Sequence, residues 1–191
     1  GTRVVASEKI QSQGNMISTE NALDIAIEGQ GHFQILQADG NFAYTRDGGF
    51  MLSEEGELVT PGGLLLQPQI VIPPEANSIS IGRDGTVSVE LANGGGSQQL
   101  GQIQIARFIN PAGLEAMGGN LFKPTTASGQ PIILNPTEQG AGALTQGMLE
   151  ASNVNVVEEL VTMIETQRAY EVNSKAISAV DSMLRFLNNN L

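Results

Sequence analysis

The chain's last stretch constrains its fold most: from Val154 to Leu191 there is neither Gly nor Pro, whereas Asn135-Pro136, Gly140, Gly142 and Gly147 just before it are turn formers. A helix is predicted to start near Val156. Asn155 with Glu158 three residues on is an Asn version of the capping box, the Asn oxygen taking an early backbone N–H and the Glu reaching back. Glu158 and Glu159 stand in the first turn and Arg185 in the last, as the macrodipole favours. Glu165 with Arg168, Glu171 with Lys175 and Asp181 with Arg185 are spaced i,i+3 or i,i+4, acid first, each worth a few tenths of a kcal/mol.

That helix is long for its own domain. Val156 to Leu187 spans about 48 Å at 1.5 Å per residue, against a diameter of about 40 Å for a compact body of the remaining size. Part of it is therefore expected to project or to pack elsewhere. Its apolar positions Val156, Leu160, Met163, Ile164, Tyr170, Ile177, Val180, Leu184 and Leu187 recur at threes and fours like a coiled-coil seam, interrupted by Gln167 and Ser174. Leu160, Ile177 and Leu184 are read as sharing one face. Such a stripe wants a partner helix, and the sequence holds no second helical pattern to provide one.

From Leu23 to Leu134, short apolar runs are punctuated by turn residues at intervals of about ten, the pattern of an all-β sandwich or barrel. Leu23, Ile25 and Ile27 alternate with Asp24, Ala26 and Glu28, and Val87, Val89 and Leu91 with Ser88 and Glu90, predicting strands with one buried face. Asp39-Gly40, Asp47-Gly48, Glu55-Gly56 and Asp84-Gly85 are predicted tight turns, Gly supplying the positive φ. Gln69 to Ile72 is expected as a strand stopped by Pro73-Pro74. The expected fold class is mainly β, a multi-stranded sandwich or barrel-like domain followed by one long C-terminal helix. Its domains are an extended lead-in over 1–22, a β-domain over 23–134, a Gly/Pro/Asn-containing connector over 135–152 and the helix over 153–191.

Composition narrows function. The 191 residues hold 9 Lys and Arg, scattered singly, against 20 Asp and Glu, for a net charge of −11, which disfavours nucleic acid and anionic lipid as partners. Mean hydropathy is −0.03, and no stretch has the apolar length of a membrane span. There is no Cys and a single His, so thiol chemistry and Cys-ligated zinc are excluded while the compartment stays open. The start at Gly1, with no apolar signal-peptide core through Ile10, suggests a fragment or processed form.

Candidate chemistry is sparse. His32 stands in no nucleophile or zinc-protease motif and is read as a strand-edge residue. Gly29-Gln30-Gly31 lacks the third glycine and the following helix of a dinucleotide site, so a hairpin turn is expected. Asn93 to Ser97 lacks the Lys of a phosphate loop and is read as a hairpin tip. Glu54, Glu55 and Glu57 do not follow calcium-loop spacing and are read as a solvated acidic turn. No catalytic residue, metal ligand or cofactor is expected.

Longer motifs do carry a signal. Asn21-Ala22-Leu23-Asp24-Ile25-Ala26-Ile27-Glu28-Gly29-Gln30-Gly31 with Phe33, then Tyr44-Thr45-Arg46-Asp47-Gly48 with Phe50, then Gly56 to Thr60, resemble the flagellar rod and hook protein family. So does the run Leu149 to Val161, which looks like that family's terminal helix signature. Thr166-Gln167-Arg168-Ala169-Tyr170-Glu171 and Ile79 to Val87 with Asp84-Gly85 are similar to its distal-rod members, as is Asn110 to Glu115, part of which hook members share. His32 departs from the family, which commonly has Phe there.

The resemblance implies a non-enzymatic structural subunit of the bacterial flagellum, in the basal-body rod that spans the periplasm. It implies type III export and self-assembly into a hollow helical tube that carries motor torque and passes exported subunits. Terminal helices would line the inner tube and the β-domain the outer wall, with an N-terminal helix, not found in this sequence, pairing with the C-terminal one. Implied partners are further copies, the proximal rod proteins, the hook protein, the surrounding P- and L-ring proteins and the export apparatus, with no nucleic acid and no lipid insertion. A hook protein of the same family, and an extracellular β-sandwich adhesin or ligand-binding module with a helical stalk, are the alternatives.

Overall fold

The computed structural model describes residues 3, 9–92 and 96–189, the last four by backbone alone. The chain forms two compact units, Gly1–Ser152 and Asn153–Leu191. Among its described residues the first is β apart from one 3-10 turn, Pro111–Gly113. Its strands in order are β1 (Met16–Ser18), β2 (Ile25–Glu28), β3 (His32–Leu36), β4 (Phe42–Thr45), β5 (Met51–Leu52), β6 (Leu58–Val59), β7 (Leu65–Gln67), β8 (Ala76–Ile81), β9 (Thr86–Leu91), β10 (Ser97–Gln102), β11 (Ile105–Arg107), β12 (Glu115–Gly118), β13 (Leu121–Lys123), β14 (Ile132–Leu134), β15 (Ala143–Gln146) and β16 (Met148–Glu150). The second unit is the helix α1 (Val156–Asn189).

All pairing among the described strands is antiparallel. Nine strands form one sheet along the path β12-β13-β4-β3-β7-β6-β5, with β11 joining β3 and β14. Strands β8, β9 and β10 make a meander, while β2 pairs with β15 and β1 with β16. Ile25, Ile27, Phe33, Ile35, Phe50, Val87, Val89, Ile103, Ile105 and Leu144 fill the main core. Tyr44, Ala106, Phe108 and Leu114 form a smaller one, against which Phe122 packs. The mainly β architecture with one long C-terminal helix is the class expected from the sequence.

Several local expectations are corrected. Strand β9 alternates as predicted, Val87 and Val89 buried and Glu90 exposed. β2 does not: Ile25, Ala26 and Ile27 are all buried, because this short strand is covered on both faces. Gln69 to Ile72 is not a strand; Ile70 and Ile72 are core residues and only Val71 forms an isolated bridge, to Glu57. Gly29-Gln30-Gly31 is not a hairpin turn, since β2 and β3 do not pair and the segment carries the chain from one sheet to another. Gly40, Gly56 and Gly85 have φ of 80°, 79° and 85° as tight turns require. Gly48 is glycine for a different reason: a Cβ there would lie 1.6 Å from the Ile25 carbonyl oxygen.

The stretch 135–152, expected as a connector, contains β15 and β16, whose partners β2 and β1 lie more than a hundred residues earlier. The expected lead-in likewise contains β1, so incoming and outgoing chain are hydrogen-bonded side by side, and the Ala151 N–H donates to the Asn15 carbonyl at 2.8 Å. In α1 the Asn155 side-chain oxygen accepts the Val157 N–H at 3.2 Å. The reciprocal bond expected from Glu158 is not among the described contacts. Of the three charge pairs, only Asp181–Arg185 closes, at 3.6 Å. Because α1 is an uninterrupted α-helix, the 17 residues from Leu160 to Ile177 turn it by about 1,700°, leaving these two about 100° apart. Leu160 therefore does not share a face with Ile177 and Leu184, which lie within about 20° of each other.

Candidate functional site

Two regions carry the residues singled out by sequence: the place where the body's first and last strands meet, and the helix. In the body, Arg46 follows β4, and its guanidinium reaches the segment that leaves β2. Nη1 donates to the Gly29 and Gly31 carbonyls at 3.0 Å each and Nη2 to the Ile27 carbonyl at 3.2 Å. Nε donates to Glu150 Oε2 at 2.8 Å, and Nη2 closes an ion pair with the same oxygen at 2.7 Å. The other Glu150 oxygen accepts the Gly14 N–H at 2.9 Å. Gln13 adds two bonds to the same turn, donating to the Ile27 carbonyl and accepting the Gly29 N–H, both at 3.1 Å. One arginine thus ties β2, the lead-in and the last strand before the helix together.

The other motif residues also hold turns. Asp24 accepts from the Asn21 amide at 3.0 Å, and its carbonyl accepts the Gly147 N–H at 2.7 Å. Asp47 accepts the Gly49 N–H and the Asn120 amide, both at 3.1 Å. The Thr86 hydroxyl, at 2.8 Å, and the Thr86 N–H hold the Asp84 carboxyl below the usual carboxylate range. Gly85 admits the Ile103 N–H to its carbonyl at 2.8 Å, where a Cβ would meet the Ile103 oxygen.

His32 stands at the start of β3, as expected, and is buried there at 4 % exposure, edge-on to Phe108 and Phe122 with ring centroids 5.6 and 6.1 Å away. Among the described residues, neither ring nitrogen has a hydrogen-bond partner. Burial, and secondarily the Arg46 charge, push its pKa down to about 4, with the Ala106 main chain across the strand pair pulling weakly upward. The ring borders a cavity of about 280 Å³ with Gln13, Arg46, Arg107 and Pro111. Among the described residues that line it, none places a nucleophile beside the imidazole. The acidic turn is only half solvated: Glu54 and Glu55 are exposed, whereas Glu57 is buried and accepts the Gln69 amide. Among the described residues, no three His, Asp or Glu side chains converge as metal ligands. Asn93 to Gly95, most of the expected hairpin tip, lie outside the described residues.

Every described side chain of α1 is exposed, including Val156, Leu160, Met163, Ile164, Tyr170, Ile177, Val180 and Leu184; that of Leu187 lies outside the described residues. No described helix is long and apolar enough to cross a membrane. Sequence reasoning missed Glu150, Gln13 and Gln146. The Gln146 amide donates to the Ala22 and Ile79 carbonyls at 2.8 and 2.9 Å, and its oxygen accepts the Ile81 N–H at 3.1 Å, sealing the edge of β8. No local pattern marks such long-range partners.

Residues 26–89 match the description "flagellar hook protein FlgE/F/G D1 domain", and residues 145–190 match "flagellar basal body rod FlgEFG protein C-terminal". The flagellar basal-body rod protein FlgG of Borreliella burgdorferi is 52% identical over 191 residues, covering 99% of this chain and 72% of the relative. This chain belongs to the flagellar rod and hook protein family. FlgG of Buchnera aphidicola from Schizaphis graminum is 51% identical over 187 residues, with 98% and 72% covered, whereas FlgF of Caulobacter vibrioides is 36% identical over 179 residues, with 91% and 67% covered. These likenesses favour the rod member of the family over a hook protein and over an unrelated adhesin.

Proposed function

We propose that this chain is a structural subunit of the flagellar distal rod, working by self-assembly and carrying out no catalysis. Near end-to-end identity of about half the residues to proteins named as FlgG carries the reading. The geometry supports it. Several of the body's charged and amide groups fix its own turns, as a stiff load-bearing unit needs, and the helix carries exposed Val, Leu and Ile that association would remove from water. On this reading α1, with Val156, Leu160, Met163, Ile164, Tyr170, Ile177, Val180, Leu184 and Leu187, packs in the inner tube and the β-body forms the outer wall. Its neighbours are further copies, the proximal rod and hook proteins at either end, and the P- and L-rings outside; it arrives through the export apparatus.

The test is to delete the gene in its own bacterium, restore it with an epitope-tagged copy and label isolated hook–basal bodies with gold. Label confined to the rod, and truncated rods in the deletion, are expected. Intact rods in the deletion, or label on the hook or the cell surface, would overturn the assignment.

A further inference from the structure

The cavity beside His32 reverses the charge of the chain. Acidic residues outnumber basic ones by 20 to 9, yet Arg46 and Arg107 line this cavity and, among the described residues, no Asp or Glu does. The two guanidiniums are not equivalent. Arg46 is committed, serving the Ile27, Gly29 and Gly31 carbonyls and neutralised by Glu150. Among the described residues Arg107 donates only to the Gln139 carbonyl, at 2.6 Å, and makes no ion pair. It brings the site one uncompensated positive charge and unused N–H donors.

His32 supplies the second feature. It is 4 % exposed, borders the cavity and has neither ring nitrogen hydrogen-bonded among the described residues. Burial and the Arg46 charge push its pKa down to about 4, so at pH 7 the ring is neutral and offers one N–H to an acceptor. Gln13 and Gln30 on the same cavity are exposed, which leaves it a way in from solvent. A single uncompensated charge selects the ligand. A carboxylate fits the planar guanidinium fork and neutralises it, whereas a phosphate dianion would carry a second charge into a partly desolvated site with nothing to pair it.

We propose that this cavity binds one carboxylate, held by the Arg107 guanidinium and the His32 N–H. The inference goes beyond the rod reading and does not depend on it. The carboxylate comes either from a free organic acid or from an acidic side chain of a polypeptide, such as the exposed Glu54-Glu55 turn of a second copy.

The chain has a single His, so its ring signals are an unambiguous NMR reporter. The full chain at pH 7 would be titrated at constant ionic strength with sodium acetate, with the capped peptide acetyl-Ser-Glu-Glu-Gly-amide, with inorganic phosphate and with chloride. Saturable shifts of the His32 ring are expected with acetate, the peptide or both, and the one that saturates at lower concentration identifies the source. Arg107→Gln should weaken that binding at least about tenfold, whereas Arg168→Gln, which removes the same charge from the helix, should leave it unchanged. Amide signals of the core residues Val87 and Val89 verify that each variant is folded. Arg107→Lys, which keeps the charge without the fork, should bind less tightly than wild type and replaces Arg107→Gln if that variant unfolds. Saturation by neither carboxylate, tighter binding of phosphate or chloride, or a folded Arg107 variant that binds as well as wild type would overturn the inference.

Discussion

Arg46 and Glu150, 104 positions apart in sequence, bring their charged groups to 2.7 Å, with their side chains 21 % and 10 % exposed. The pair spans the point where incoming and outgoing strands meet. Removing one partner strands a mostly buried charge together with the carbonyls or N–H it served. Glu150→Ala is expected to destabilise the body by about 3 kcal/mol, and Glu150→Gln, which keeps an acceptor, by less. Urea unfolding followed on the β-body checks this; equal, negligible losses in both would remove the clasp from the account.

His32 gives the body an acid-sensitive group. Its folded pKa of about 4 lies below the 6.5 of the free side chain, so the unfolded chain takes up the proton first. The stabilising effect is complete above about pH 6.5 and is lost as pH falls toward 4, by about 3 kcal/mol in all. His32→Phe, filling the slot between Phe108 and Phe122, should remove that part of the acid dependence. Relative to wild type the variant should gain about 2 kcal/mol between pH 7 and pH 5, read from parallel denaturant curves; parallel losses in both proteins would refute it.

Gly48 and Gly40 separate two reasons for glycine. Gly48→Ala drives a methyl into the Ile25 carbonyl, whereas at Gly40 nothing lies within 4 Å and only the φ of +80° is strained. The first change is expected to cost at least about 3 kcal/mol and the second about 1 kcal/mol. Thermal melts of the two variants should differ in that order.

Gln146→Ala leaves the Ile81 N–H and the Ala22 and Ile79 carbonyls without their partner. A loss of about 2 kcal/mol is expected, with amide exchange accelerated first at Ile81 in β8. Uniform acceleration across the body would show global destabilisation and no edge role.

Ile177→Asp places a carboxylate on the exposed helix, where the isolated subunit tolerates it but a packed interface does not. Melting of the β-body should be unchanged, while rods fail to form and the cells do not swim. Motile cells with normal rods would show that this face is not buried on assembly.

The helix was legible because its determinants are local: no breaker, a capping Asn155 and acidic first-turn residues act within a few positions of one another. Strand β9 and the turns at Gly40, Gly56 and Gly85 were legible for the same reason, period-two burial and positive φ being properties of neighbouring residues. The long motifs likewise pointed to the family before any coordinate did. Tertiary structure alone decided the rest. Ala26 is buried because β2 is covered on both faces, Gly48 is fixed by a carbonyl from a distant strand, and His32 faces aromatic rings contributed by β13 and the segment after β11. The stretch 135–152 read as a connector because its glycines are local, yet β15 is the partner of β2, so residues 23–134 alone lack a strand of the core. Pairing across a hundred residues depends on which surfaces the folded chain brings into contact, and that is not written in the spacing of adjacent side chains.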